Sequence, residues 1–251
     1  MLHKPFHVLS SFILTLGAIN RIIQYQFNRS LWADEAVLAL NIVHRSYLEF
    51  FQPLDYDQAA PPGFLMIEKL IIELFGNQEY ALRAFPLFCG ILSLFLFYKF
   101  AQSCLPLAAL PISCALFANS EFLISYSSEV KQYSTDVAVA LLLSLILLPL
   151  LHKPLTFKPG LIMALAGAIS LWFSYPAVFI LAGFGLTSLT VNWFNQKSVN
   201  WGHYFSIYLT WLISFILFYF VAIHAVSNDT ALSQAWSDDF PESPWNIIWI
   251  Y

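Results

Sequence analysis

The chain has 251 residues, of which 59% are hydrophobic and 10% charged, with 24 Phe, 8 Trp and a net charge of −4. Soluble domains carry about 45–50% apolar and about 25% charged residues, so a soluble globular fold is excluded, and a mean hydropathy of +0.68 points to lipid as the solvent. There is no low-complexity run and no basic block of the kind that neutralises phosphates, which removes disorder and nucleic-acid binding from consideration.

A membrane-crossing helix needs about 20 mostly apolar residues, with about 17 as a lower limit. Runs of this kind cover residues 5–27, 84–101, 104–122, 134–151, 176–194 and 204–226, and a shorter one, 159–173, has no charge after Lys158. The first run reads as a retained span and not as a secretory signal, because no small-x-small cleavage site precedes Asn20-Arg21 and further spans follow. Arg21, near the outer end of that span, is expected to extend its head to the interface. Gly63 to Phe75 is too short to cross and carries Glu68, Lys69 and Glu73 within an arc of about 140° at 100° per residue. That pattern predicts a helix lying in the interface plane with all three charges on its polar side. Cys89, Cys104 and Cys114 sit in apolar stretches without metal-ligand spacing and read as small hydrophobes.

The expected fold is therefore an all-α integral membrane protein: residues 1–251 as a single polytopic membrane domain with about seven transmembrane helices, and a first outer loop, 28–83, that contains interfacial helices. Alternating the spans puts 28–83, 119–135, 174–175 and 227–251 on one face and 1–4, 102–103, 152–158 and 195–203 on the other. All 15 carboxylates then lie on or next to the first face. Outside the long first loop the second face holds more lysines, which makes it the cytoplasmic one and the acidic face extracytoplasmic.

Two segments on that outer face carry chemistry. In Leu31-Trp32-Ala33-Asp34-Glu35, two adjacent carboxylates follow the end of a span. They read either as the first turn of a capped helix, with Ser30 or Asp34 supplying the capping oxygen, or as a carboxylate held near membrane depth that removes a proton from an acceptor hydroxyl or amine. Further along, Asp55 and Asp57 precede Ala60-Pro61-Pro62-Gly63; they are either solvated or arranged for a hard cation or a sugar hydroxyl. The second segment, Tyr126 to Asp136, would place Glu129, Gln132, Tyr133 and Asp136 on one stripe if helical, as an interhelical hydrogen-bond seam or as the wall of a polar cavity, with Lys131 beside it able to hold a phosphate. No Walker-type, dinucleotide-binding or His-Glu-x-x-His motif occurs.

In their order, these motifs resemble the GT-C-type membrane glycosyltransferases, the group of the protein O-mannosyltransferases and the lipid A aminoarabinose transferases. The resemblance runs from residue 5 to about 150, through Trp32-Ala33-Asp34-Glu35, Ala60-Pro61-Pro62, Leu74-Phe75-Gly76, Glu79-Tyr80-Ala81-Leu82-Arg83 and Ser128-Glu129-Val130-Lys131-Gln132-Tyr133. It implies sugar transfer from a polyprenyl-phosphate carrier to an acceptor glycan, lipid or protein on the extracytoplasmic face of a plasma (inner) membrane. Asp34 would match the general base and Glu35 a residue positioning the acceptor or a cation; Lys131 and Arg83 would hold the carrier phosphate, and Glu129 and Tyr133 would line the cavity. Dependence on a divalent cation varies in such enzymes and stays open. Ala60 stands where relatives often have a basic residue or His. Relatives commonly have eleven or more spans, so the chain is expected to correspond to their N-terminal part, with 227–251 leading into a further element. The rival readings are a transporter or permease subunit, whose path would use the same polar residues, and a non-catalytic scaffold or truncated enzyme.

Overall fold

The structure is a computed structural model that describes residues 4–151, 155–194 and 201–223; the expected outer segment 227–251 lies outside them. Its elements are α1 (Lys4–Gln26), α2 (Ala33–His44), a 3-10 turn at Tyr47–Phe51, α3 (Pro62–Phe75), α4 (Glu79–Cys104), α5 (Leu110–Ala118), α6 (Glu121–Tyr126), α7 (Tyr133–Leu147), α8 (Phe157–Ser170), α9 (Ala177–Phe194) and α10 (Trp201–Phe218). Among the described residues there is no strand.

Among the described residues, five stretches are long and apolar enough to cross a membrane: α1, α4, α7 with its extension to Leu151, α9, and α10 extended to Ala222. Their surfaces are inside out relative to a soluble protein. Phe179 is 78% exposed and Phe205 69%, and large apolar side chains stand outward along each of these helices. Such a surface is stable only against hydrocarbon or a partner.

The count of about seven spans is not reproduced by length. The run 104–122 breaks at Asn119-Ser120 into α5 and α6, and its apolar helix, Leu107–Ala118, falls well short of the roughly 20 residues needed. The run 159–173 forms α8, whose 14 residues rise about 21 Å against a hydrocarbon core of about 30 Å. Conversely, α4 begins at Glu79 instead of residue 84 and has 26 residues, about 39 Å, because Glu79 in its first turn favours the helix dipole and pairs with Arg83 at 3.7 Å. Its first turns therefore reach past the apolar part of the bundle and carry Arg83 toward the polar end.

Helix directions follow from their contacts. Hydrogen bonds join Tyr25 to Tyr80 and His7 to Tyr98, so α1 and α4 are antiparallel and tied at both ends. Gly17 lets Ala118 approach α1, and α8 and α10 run side by side with Trp211 donating to the Met163 carbonyl and Ser214 to that of Ala168. Small residues at close crossings are how membrane helices gain van der Waals contact when lipid removes the hydrophobic driving force.

Two charges lie elsewhere than expected. Arg21 does not reach an interface: it is buried and donates through Nη1 to the carbonyls of Gly17 and Ala118, both at 3.0 Å. Its guanidinium replaces solvent with backbone acceptors of its own helix and of α5, where the chain breaks between α5 and α6. Of the charges predicted on the polar side of α3, Lys69 donates to the Val43 carbonyl (2.9 Å) and Glu73 accepts from Tyr47 (2.8 Å), but Glu68 is buried with neither carboxylate oxygen hydrogen-bonded. Packing of α3 onto the bundle at Gly63, whose N–H donates to the Trp172 carbonyl at 2.8 Å, turns Glu68 inward.

Burial raises the Glu68 carboxyl well above its ordinary 4.5. The folded state then holds this proton more firmly than the unfolded state, so its contribution to stability is full below about pH 4.5 and is lost as pH rises through the raised value. Glu68→Gln is expected to raise the thermal midpoint in detergent at pH 8, with the gap to wild type closing toward pH 5. A gap that is constant across that range would contradict the buried, protonated carboxyl.

Candidate functional site

The polar end of the bundle is organised around Glu35. Trp32 has extended backbone (ψ 159°) and α2 starts after it; the acceptor that caps this helix is the Glu35 carboxylate, which takes the Trp32 N–H at 3.0 Å, not Ser30 or Asp34. The other Glu35 oxygen accepts the Val130 N–H at 2.9 Å, stapling the segment after α6 to the first loop across 95 positions of sequence. Two guanidinium groups, Arg29 and Arg83, each stand 3.6 Å from this carboxylate. With 3% of its side chain exposed and both oxygens engaged, Glu35 holds the site together.

The segment Ser127 to Gln132 is not helical, so the stripe predicted over Glu129, Gln132, Tyr133 and Asp136 does not form as one surface. The chain turns here and meets Glu35 through the Val130 N–H. It packs against α4 at Gly90, where a Cβ would stand 2.6 Å from that of Ser127. This placement presents Glu129 and Lys131 to the first loop. Gly90→Ala is expected to cost about 1–3 kcal/mol through overpacking and to displace Lys131; a thermal midpoint equal to wild type would show that the neighbouring segment yields freely.

Lys131, its side chain 8% exposed, points Nζ between Asp34 Oδ1 at 2.8 Å and Gln58 Oε1 at 2.9 Å. Asp34 is 63% exposed, so the pair sits with its cation inside and its carboxylate at the surface. Beside it, Arg29 reaches Glu129 at 3.2 Å and lies 5.3 Å from the centre of the Trp32 ring, within cation–π range. Burial pushes the Glu129 carboxyl up from its ordinary range, with Arg29 opposing. The result is three cations and three carboxylates, Arg29, Arg83 and Lys131 against Asp34, Glu35 and Glu129, on four different parts of the chain.

The remaining expected residues fall into two groups. Tyr133, at the start of α7, packs tilted against Tyr126 with ring centres 4.6 Å apart and lies within electrostatic reach of Asp34 and Glu129, so it borders the cluster. Arg83 belongs to the cluster but only 1% of its side chain is exposed, and it donates to the Arg29 carbonyl (2.6 Å) and to Asn28 Oδ1 (3.3 Å), locking Asn28 at φ 40°. That makes Arg83 an internal strut of the cluster. Asp57 is exposed in a turn at φ 53° and is not brought into the cluster. Its neighbour Asp55 is taken by Arg45 at 3.1 Å, and among the described residues no group of three or more His, Cys, Asp and Glu is arranged to hold a metal.

Two site residues escaped the sequence reading. Arg29 belongs to no motif in the sequence, although it stands five residues before Asp34. Gln58 had no signal at all, since it is delivered by the turn at Tyr56 and Asp57, both at positive φ.

No protein-family model, curated protein or solved structure matches the chain. The likeness to glycosyltransferases thus rests on the order of motifs in the sequence.

Proposed function

We propose that the chain is a membrane glycosyltransferase of the GT-C type, using a polyprenyl-phosphate sugar as donor. The observation that carries this reading is the Lys131–Asp34 pair: a carboxylate open to an acceptor and a buried ammonium able to meet a phosphate, adjacent at one end of a bundle of long apolar helices. In the reaction, the acceptor O–H proton passes to the Asp34 carboxylate while the acceptor oxygen bonds to the anomeric carbon. The bond from that carbon to the carrier's phosphate oxygen breaks, and its electron pair leaves on the phosphate. Lys131 offsets the developing charge, as a point-charge partner can. Glu35 positions both groups through Val130 and the start of α2, and Glu129, Arg29 and Tyr133 border the space where the sugar would lie. The acidic end of the bundle would face the extracytoplasmic side of the plasma (inner) membrane.

The test is binding of polyprenyl-phosphate-linked sugars to the protein in nanodiscs. Lys131→Ala should weaken binding far more than Lys158→Ala, a substitution of an exposed lysine at the start of α8. Equal losses in the two variants would remove the basis for this function.

A further inference from the structure

We propose that the carrier phosphate and Asp34 compete for Lys131, so that donor binding releases Asp34 Oδ1 from its ion pair beside the sugar. This rests on the proposed donor class. Without a ligand, Lys131 Nζ is held by two acceptors, Asp34 Oδ1 at 2.8 Å and Gln58 Oε1 at 2.9 Å. An ammonium has three N–H donors, so one remains for an incoming anion. In the donor the phosphate is a diester whose single negative charge is shared by two non-bridging oxygens, so it matches a carboxylate in charge and displaces one only where that carboxylate is weakly held. Once engaged, it draws Nζ from Asp34, whose hold is the weaker of the two because that carboxylate is 63% exposed and well solvated.

Gln58 gives the exchange its direction. Its amide oxygen is neutral and lies in the turn before α3, so it keeps Nζ in place without competing for charge while one anion replaces another. Asp34 then regains a free Oδ1 lone pair beside the bound sugar. In the resting state Oδ1 is engaged by Lys131. The neighbouring carboxylate Glu129 is bound to Arg29 instead, and Glu35 is occupied by backbone N–H groups, so neither takes part in the exchange.

The experiment measures dissociation constants for a short-chain polyprenyl phosphate, with the matching polyprenol as a phosphate-free control, on the whole chain in nanodiscs. The set is wild type, Asp34→Asn, Lys131→Met and the double variant; methionine keeps the buried stem of Lys131, and asparagine keeps the shape of Asp34. Removing the competitor should tighten phosphate binding about two- to fivefold, the worth of one partly exposed ion pair. Lys131→Met should weaken it about tenfold or more, and in that background Asp34→Asn should give no gain, because nothing is left to release.

A gain from Asp34→Asn that persists without Lys131 would mean a general field effect and would overturn the competition. So would a Lys131→Met loss with Asp34→Asn unchanged or weaker, and in both cases the donor class would stand. Equal binding of polyprenyl phosphate and polyprenol by wild type would overturn the donor class itself, and the competition with it.

Discussion

On the proposed function, Lys131→Met lowers the rate of sugar transfer about 100- to 1,000-fold, the loss typical of one charge-stabilising contact at a developing anion, or roughly 2.7–4 kcal/mol of transition-state stabilisation. The size follows from where the ammonium sits. Its side chain is 8% exposed, so water supplies little of the screening that makes surface charges weak, and the neighbouring cation Arg29 is engaged by Glu129 and Glu35. Arg83 does not substitute for it, being buried against Glu35 and the Arg29 carbonyl. The measurement is turnover with a lipid-linked sugar, alongside the thermal midpoint in detergent. A drop in turnover with the midpoint kept separates lost chemistry from lost folding; a change under about threefold would mean that Lys131 does not face the leaving group.

Glu35→Gln is expected to act on the opposite quantity. Glu35 balances two guanidinium groups and accepts two backbone N–H groups while almost fully buried. Removing one member of such a buried set leaves uncompensated charge and costs about 3–5 kcal/mol, a large part of the roughly 5–15 kcal/mol by which folded proteins exceed their unfolded states. The neutral amide keeps the shape, so packing is preserved and the loss is electrostatic. The check is a comparison with Asp34→Asn, one residue away but 63% exposed: Glu35→Gln should lower the thermal midpoint by several degrees or expose the Ser127–Gln132 segment to protease, whereas Asp34→Asn should do neither. Equal stability of the two variants would show that Glu35 is not the staple of the site.

These two predictions separate roles that adjacency in sequence joins. Asp34 and Glu35 are neighbours, but successive residues on a helix point about 100° apart. At the start of α2 that rotation sends one carboxylate to the surface and the other into the bundle. Nothing in the dipeptide announces which is which. The same limit applies to Glu68 and Arg21, which the sequence places by counting charges on one helix, while their surroundings come from elements far away in the chain.

What the sequence by itself determined is the class and the direction of the chain. Long charge-free runs call for helices with satisfied backbones in lipid, and they overlap α1, α4, α7, α9 and α10, although α4 starts earlier than its run, at Glu79. Pro61-Pro62 starts α3, and Gly76, at φ 91°, ends it; both are local backbone effects that need no tertiary partner. The gathering of carboxylates on one face also brought Asp34, Glu35, Glu129 and Lys131 to the same end before any contact was known. Only the tertiary structure decided where the helices stop being continuous, at Asn119-Ser120 and Ser127–Gln132, because those breaks serve contacts with α1, α4 and α2. It alone paired Lys131 with Asp34 and Gln58, drew in Arg29 and turned Glu68 inward. Periodicity fixes which way a side chain faces on its own helix, but the charge it meets there is set by packing between segments up to 100 residues apart.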